Sequence, residues 1–122
     1  MDRRKTTMDD EMKKAEQATR LAMIQDKAQE FQFQANELQK REYQGRVQGI
    51  NIVMKGNFEV INVHIDQSFY ETASKGQIEI AITKCINNLH VAVQNDMNAL
   101  SDEFQNYIAR VQKESQQQNG TD

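Results

Sequence analysis

The chain has 122 residues, enough for one domain with a single core. Its formal net charge of -3 excludes a generally basic nucleic-acid binder but leaves open a locally basic one. One cysteine excludes an internal disulfide and a multi-cysteine metal site, which fits the reducing cytoplasm. No apolar run approaches the ~20 residues that span a bilayer. We therefore expect a soluble, untargeted protein without membrane contact.

A long helix is predicted at the start of the domain. Thr7 and Asp10 have the spacing of a capping box, so the predicted helix begins at Met8 and continues to about Glu42. Apolar residues recur in steps of three and four on one face: Met12, Ala15, Ala18, Leu21, Ile24, Ala28, Phe31, Ala35 and Leu38. A helix of this length, about 50 Å at ~1.5 Å per residue, is too long for one small core to cover. Phe33 lies off the stripe, either as an exposed aromatic or as a contact with a partner.

The cations of this segment have two interpretations. Lys13, Arg20, Lys27 and Arg41 lie at multiples of seven, so they form a stripe suited to a phosphate backbone. Alternatively, Asp9–Lys13, Asp10–Lys14 and Lys27–Glu30 have the spacing of ion pairs on a solvated helix face. Residues 1–7 are predicted to be a flexible basic arm that adds phosphate contacts. The candidate DNA-binding residues are Arg3, Arg4, Lys5, Lys13, Lys14, Arg20 and Lys27.

The middle of the chain predicts an antiparallel hairpin. Between Gln48 and Ile65 the helical period disappears, β-branched residues dominate, and Gly56–Asn57 has the composition of a tight turn. Glu42–Gly45 is a possible third short strand, with Gly45 and Gly49 permitting tight bends. Alternation puts apolar residues on both faces of the hairpin, so a second copy is expected to cover one face. The predicted dimer interface comprises Ile50, Ile52, Met54, Phe58, Val60, Ile61, Val63 and Ile65.

A second long helix is predicted to end the domain. Ser74 and Gln77 form a capping-box pattern, which starts this helix near Lys75. Apolar residues then recur at three and four to about Lys113: Ile78, Ile82, Ile86, Leu89, Val93, Met97, Leu100, Phe104, Ile108 and Val111. The organisation is one α-β-β-α domain over residues 8–113. Residues 114–122 are expected to form a disordered polar tail.

The residues with reactive side chains do not form a catalytic or metal-binding pattern. His64 and His90 lie in different elements, whereas a zinc site needs three or four ligands. Cys85 beside Lys84 is either a thiol of lowered pKa or, more commonly for a lone helical cysteine, a small packing residue. No phosphate-binding loop, nucleophile elbow or carboxylate pair is present. We expect no enzymatic activity, metal, cofactor or small-molecule substrate.

The hairpin carries a family resemblance. The segment Ile50–Asp66, INIVMKGNFEVINVHID, resembles the strand, turn, Glu-Val, strand and Ile-Asp signature of the YbaB/EbfC family of bacterial nucleoid-associated proteins. Met12–Gln17 and Ile86-Asn87-Asn88 are also similar to that family. The resemblance implies an α+β fold, with a long helix on each side of the hairpin. It further implies an intertwined homodimer with a joint sheet, whose projecting helices bind duplex DNA.

Two functions remain open from the sequence. The first is a homodimeric protein of the cytoplasmic nucleoid that binds duplex DNA mainly through phosphates and organises the nucleoid or regulates genes. The alternative is a dimeric, non-catalytic scaffold or chaperone-like protein whose helices hold a partner's amphipathic helix. The net charge of -3 favours the scaffold. The basic stripe, the basic arm and the resemblance favour DNA.

Overall fold

A computed structural model describes the backbone of residues 3–119 and the side chains of residues 10–114. The fold is α+β, as predicted, and in chain order one long helix precedes an antiparallel sheet and another follows it. Its elements in chain order are α1 (Arg3–Lys40), β1 (Glu42–Val47), β2 (Ile50–Lys55), β3 (Val60–Ile65), α2 (Gln67–Thr72) and α3 (Lys75–Asn119).

Both long helices differ from the prediction at their ends. Helix α1 begins at Arg3, so Thr7 lies inside the helix and the predicted start at Met8 is wrong. It ends at Lys40. The Arg41 amide donates to the Leu38 carbonyl at 3.1 Å, only three residues back, and Glu42 already pairs with β2. At the other end of the chain, α3 continues past the predicted boundary to Asn119. Residues 120–122 of the predicted tail lie outside the described residues.

The start of α3 confirms the predicted capping box. The Gln77 amide donates to Ser74 Oγ at 3.2 Å, while the Ser74 amide donates to Gln77 Oε1 at 2.9 Å. These two bonds satisfy backbone donors that have no partner within the helix. The short helix α2, which immediately precedes this cap, was not predicted because six residues give no readable apolar period.

The sheet has three antiparallel strands in the order β1-β2-β3. The additional strand suggested at Glu42–Gly45 is therefore confirmed as β1. It extends beyond Gly45 to Val47. Strand β2 is central, and its side chains alternate between buried and half-buried. Strands β1 and β3 are both edges of this sheet.

The turn between β2 and β3 differs from the predicted tight turn at Gly56–Asn57. Lys55 donates its amide to the Glu59 carbonyl at 2.8 Å, which closes a three-residue loop. Phe58, not glycine, has the left-handed backbone, with φ of 70°. This is the usual pattern for a three-residue hairpin loop, in which a turn is followed by one left-handed residue. Asn57 Oδ1 supports the loop by accepting the Glu59 amide at 3.0 Å.

Gly45, Gly49 and Gly56 provide room for close packing, whereas the sequence suggested that Gly45 and Gly49 permit tight bends. No described glycine has a positive φ, and the left-handed residue before β2 is Gln48, with φ of 51°. A methyl group on Gly56 would collide with the backbone carbonyl of Leu38, and one on Gly49 would collide with the Phe69 side chain. Gly56 thus lets the end of α1 approach the β2–β3 loop.

The described chain separates into two compact units. The sheet unit comprises Phe33–Leu100, and the helical unit comprises the residues up to Gln32 together with those from Ser101 onward. The sheet unit contains a core between the inner face of the sheet and α3. Its buried side chains are Ile50, Ile52, Met54, Ala81, Cys85, Leu89 and Val93.

A β-bulge changes the predicted faces of the hairpin. Met54 pairs with Val60 and Val53 pairs with Asn62, so Ile61 is an extra residue in β3. Because paired residues project on the same side, Val60 lies on the same face as Val63 and Ile65, although strict alternation along β3 would put it on the opposite face. The inner face therefore carries Val60, Val63 and Ile65 of β3 together with Ile50, Ile52 and Met54 of β2, whereas Val53 lies on the outer face.

The predicted dimer interface is divided by this arrangement. Ile50, Ile52 and Met54 are buried against α3 of their own chain, so they have no surface left for a second copy. Phe58 and Ile65 are half-buried and pack on the same core. Val60, Ile61 and Val63 on the edge strand remain exposed.

Candidate nucleic-acid interface

The helical unit is held together by a seam between α1 and α3. The rings of Phe31 and Phe104 stack with centroids 4.9 Å apart. Val111 is buried further along α3, and Ile24 and Ala28 are half-buried on α1. The apolar stripe predicted on α1 thus faces inward from Ile24. Before Ile24 its described members, Met12 to Leu21, are exposed.

Lys27 lies in this seam and is engaged by residues of its own chain. Its ammonium is 3.6 Å from Glu30 and 3.9 Å from Glu103, and it lies 5.3 Å from the centroid of the Tyr107 ring. Only 20% of the side chain is exposed. The predicted Lys27–Glu30 pair is confirmed. A phosphate would have to displace these groups before it could bind Lys27.

The remaining members of the seven-residue stripe are also not equivalent. Arg20 is 25% exposed and pairs with Glu16 at 3.6 Å. Arg41 follows the end of α1 and pairs with Asp96 at 3.5 Å, so it is not part of a helix face. The seven-residue spacing therefore does not produce one exposed row of cations.

Lys13 and Lys14 are exposed. The predicted Asp10–Lys14 ion pair is absent among the described side chains. The Asp9 side chain lies outside the described residues, as do those of Arg3, Arg4 and Lys5. Their backbone, however, is part of α1.

Two cations of α3 were not predicted as DNA-binding residues. Arg110 and Lys113 are exposed, and with Glu103, Asn106 and Ala109 they line a shallow depression of the helical unit. Neither cation forms an ion pair with a described residue. Their spacing of three places them on neighbouring positions of the helix surface. This spacing is visible in the sequence, but only the apolar stripe of α3 entered the prediction.

A polar cluster fixes the end of α1 in the sheet unit. The Tyr43 hydroxyl donates to Asp96 Oδ2 at 2.7 Å, and Arg41 pairs with the same carboxylate. Burial, together with the nearby Asp96, raises the pKa of Tyr43. Burial likewise raises the pKa of the Cys85 thiol, which makes it a packing residue and not an activated nucleophile.

The described residues offer no other obvious chemical site. Within the described part of the chain, no three His, Cys, Asp or Glu side chains are grouped to hold a metal ion. None of the described helices has a stretch that is long and apolar enough to cross a membrane.

These features define an α+β protein with one compact sheet unit and a helical unit that carries exposed cations. The sequence profile of the YbaB/EbfC DNA-binding family matches residues 4–108. The chain belongs to this family of nucleoid-associated DNA-binding proteins, which confirms the predicted resemblance.

Comparison with solved structures identifies a similar fold. The crystal structure of the uncharacterized protein HP0035 from Helicobacter pylori matches with a TM-score of 0.56 and 17% sequence identity. The match covers 67% of this chain and 88% of that chain. Comparison with curated protein sequences found no significant match.

Proposed function

We propose that this protein is a non-catalytic homodimer that binds duplex DNA in the cytoplasmic nucleoid, mainly through phosphate contacts. Its role is nucleoid organisation or gene regulation, without a metal, cofactor or small-molecule substrate. Membership in a DNA-binding family over residues 4–108 is the observation that carries this proposal. The exposed cations of the helical unit provide the physical means.

Lys13 and Lys14 on α1, together with Arg110 and Lys113 on α3, are the best placed residues to bind phosphates. All four are exposed, and no described carboxylate pairs with Lys14, Arg110 or Lys113. DNA binding to such residues costs little because no protein ion pair has to break. Arg20 and Lys27 contribute less in this proposal, since each already has carboxylate partners. The basic arm Arg3, Arg4 and Lys5 adds to the cations of α1.

The homodimer is supported by the exposed edge of the sheet. Val60, Ile61 and Val63 are 39%, 40% and 46% exposed, and β3 has no further strand beside it in the described chain. An apolar edge strand of this kind favours pairing with another chain. A second copy would cover it and bury the apolar residues that α3 leaves accessible. Val63→Asp is expected to weaken the dimer without unfolding the chain, and sedimentation velocity measures this.

A protein-binding scaffold is the second candidate. Phe33 is 66% exposed and Leu21 is 57% exposed, although both lie in the long helix α1. Exposed large apolar side chains on a helix are typical of surfaces that dock a partner helix.

Fluorescence anisotropy with random duplex DNA at several salt concentrations tests the DNA proposal. The double variant Arg110→Gln, Lys113→Gln should bind more weakly to unrelated sequences. The slope of log affinity against log salt should fall by about 0.9 for each phosphate that the variant no longer neutralises. The matched control is Lys75→Gln, Lys84→Gln in the sheet unit, which removes the same charge from exposed positions of α3 and should leave the slope unchanged. Absence of duplex binding at low salt would favour the scaffold instead.

A further inference from the structure

The outward side chains of the sheet are exposed on β1 and β3 and half-buried on the central strand β2. Strand pairing arranges its outward side chains in three rows across the strands: Arg46-Asn51-His64, Gln44-Val53-Asn62 and Glu42-Lys55. The core lies entirely on the other face. Outward positions therefore carry three amides, two permanent cations and one histidine, against the carboxylate of Glu42 and that of Asp66 at the end of the first row. This composition differs from that of the whole chain, in which acids outnumber bases by 18 to 15.

The first row converges on one carboxylate. Arg46 Nη2 donates to Asp66 Oδ2 at 3.1 Å, and Asn51 Nδ2 donates to Asp66 Oδ1 at 3.3 Å. His64 Nε2 is 3.5 Å from the same Oδ1. Each of the three strands thus directs one side chain to Asp66. Arg46 and His64 are both about two-thirds exposed, so their outward surfaces are accessible to solvent.

We propose that this outer face is a second contact surface for duplex DNA and that Asp66 restrains it by holding Arg46. This inference rests on the proposed DNA-binding function. In this arrangement the Asp66 carboxylate competes with a DNA phosphate for the Arg46 guanidinium. Lys55, which has no described ion pair, binds a phosphate at the far end of the face.

Duplex DNA fits this surface better than a single strand. Strands of a β-sheet enter the grooves of a duplex, and amide side chains such as Gln44 and Asn62 hydrogen-bond to base edges there. Single-stranded nucleic acid is instead held by aromatic rings on which unpaired bases stack. No Phe, Tyr or Trp stands at the eight outward positions, and the one aromatic ring there, the His64 imidazole, has its Nε2 3.5 Å from Asp66 Oδ1. The face therefore offers hydrogen bonds and charge, with a single imidazole in place of a row of stacking rings.

The test compares two variants of opposite expected effect by anisotropy of a duplex at several salt concentrations. Lys55→Gln should lower the slope of log affinity against log salt by about 0.9, because the variant neutralises one phosphate fewer. Asp66→Asn is nearly isosteric and frees Arg46, so it should raise the slope by about the same amount. Lys84→Gln on α3, exposed and without a described ion pair, is the control and should match the wild type.

A double variant separates the release of Arg46 from the general effect of removing an acid. In Asp66→Asn, Arg46→Gln the rise in slope should disappear, whereas Arg46→Gln alone should change binding little because Asp66 already neutralises that cation. Sedimentation velocity and circular dichroism confirm that each variant keeps the fold and assembly of the wild type.

The inference is overturned if Lys55→Gln matches Lys84→Gln, or if the rise in slope of Asp66→Asn persists without Arg46. Either result, with normal duplex binding by the wild type, leaves the proposed function intact and makes the sheet face an ordinary solvated surface. A wild type that binds no duplex at low salt contradicts the proposed function itself. Should Asp66→Asn fail to fold, the slope of Lys55→Gln compared with that of Lys84→Gln still decides whether the sheet face binds DNA.

Discussion

The sheet unit and the helical unit bury similar apolar patterns to very different degrees. In the sheet unit, α3 meets a sheet, and Ile50, Cys85 and Val93 are fully buried. Among the described side chains of the helical unit, Val111 alone is buried, and the aromatic seam residues remain half-exposed. A single helix offers its neighbour a narrower surface than a sheet does. Apolar periodicity therefore predicts a helix and its inward face, but burial depends on what lies opposite.

The largest expected difference between the units comes from placing a charge on an apolar position of each. Ile52→Asp in the sheet unit should cost more than about 4 kcal/mol and unfold the chain, because an unpaired carboxylate would lie in the core. Leu21 in the helical unit is mostly exposed. Leu21→Asp should therefore change the free energy of unfolding by about 0.5 kcal/mol or less. Urea unfolding followed by circular dichroism measures both. Equal losses would mean that Leu21 is covered in solution, and the contrast between the units would fail.

Glycine substitutions test how closely the sheet unit is packed. Gly56→Ala should destabilise the protein by about 1–3 kcal/mol, because its methyl group meets the rigid Leu38 carbonyl. Gly76→Ala, in the first turn of α3 with open space around it, should instead stabilise the protein by up to about 1 kcal/mol. Thermal denaturation of the two variants compares them directly. A neutral Gly56→Ala would show that the end of α1 can move away from the loop.

The seam of the helical unit should respond locally. Phe31→Ala removes the stack with Phe104 and should cost about 1–3 kcal/mol, less than a fully buried phenylalanine, because the ring is half-exposed. Hydrogen exchange should accelerate in α1 before Gln32 and in α3 after Ser101 while the β2 amides stay protected. Acceleration of both regions together would instead show that the two units unfold as one.

The smallest effect concerns pH. The pKa of Tyr43 is raised in the folded protein above its ordinary value of 10.0. Unfolding at alkaline pH is therefore accompanied by release of the Tyr43 phenol proton. Its contribution to stability is full below pH 10 and is lost as the pH rises through the folded-state pKa. Tyr43→Phe should therefore lose less stability than the wild type between neutral pH and about pH 11, as measured by urea unfolding. Cys85 is present in both proteins, so its own titration cancels in the comparison.

The sequence predicted the parts of this fold that depend on local spacing. The capping box at Ser74 and Gln77, the strands and the two long helices all follow from residues close together in the chain. The bulge at Ile61 and the left-handed Phe58 were not predicted, because both depend on how β3 pairs with β2 and packs on α3. Strand alternation alone gives the wrong face for Val60 as soon as one extra residue interrupts it.

The candidate site was harder to predict because charge spacing does not reveal partners. Lys27 has the right spacing for an exposed stripe, yet Glu103 and Tyr107, more than 70 positions later in the chain, hold it in the seam. Arg110 and Lys113 lack the seven-residue regularity that marks the cations of α1. Which cations are available to a phosphate depends on tertiary contacts, and those are not encoded in local spacing.

The bulge lets β3 hold one residue more than its pairing with β2 requires. Ile61 shifts the strand by one position relative to β2, so its two halves follow different reading frames of the same in-and-out alternation. Removing Ile61 would join the frames into one continuous alternation, in which Val60 stays opposite Met54 and Asn62 stays opposite Val53. Both ends of the strand would then keep their faces, and the exposed apolar edge would lose the Ile61 side chain alone.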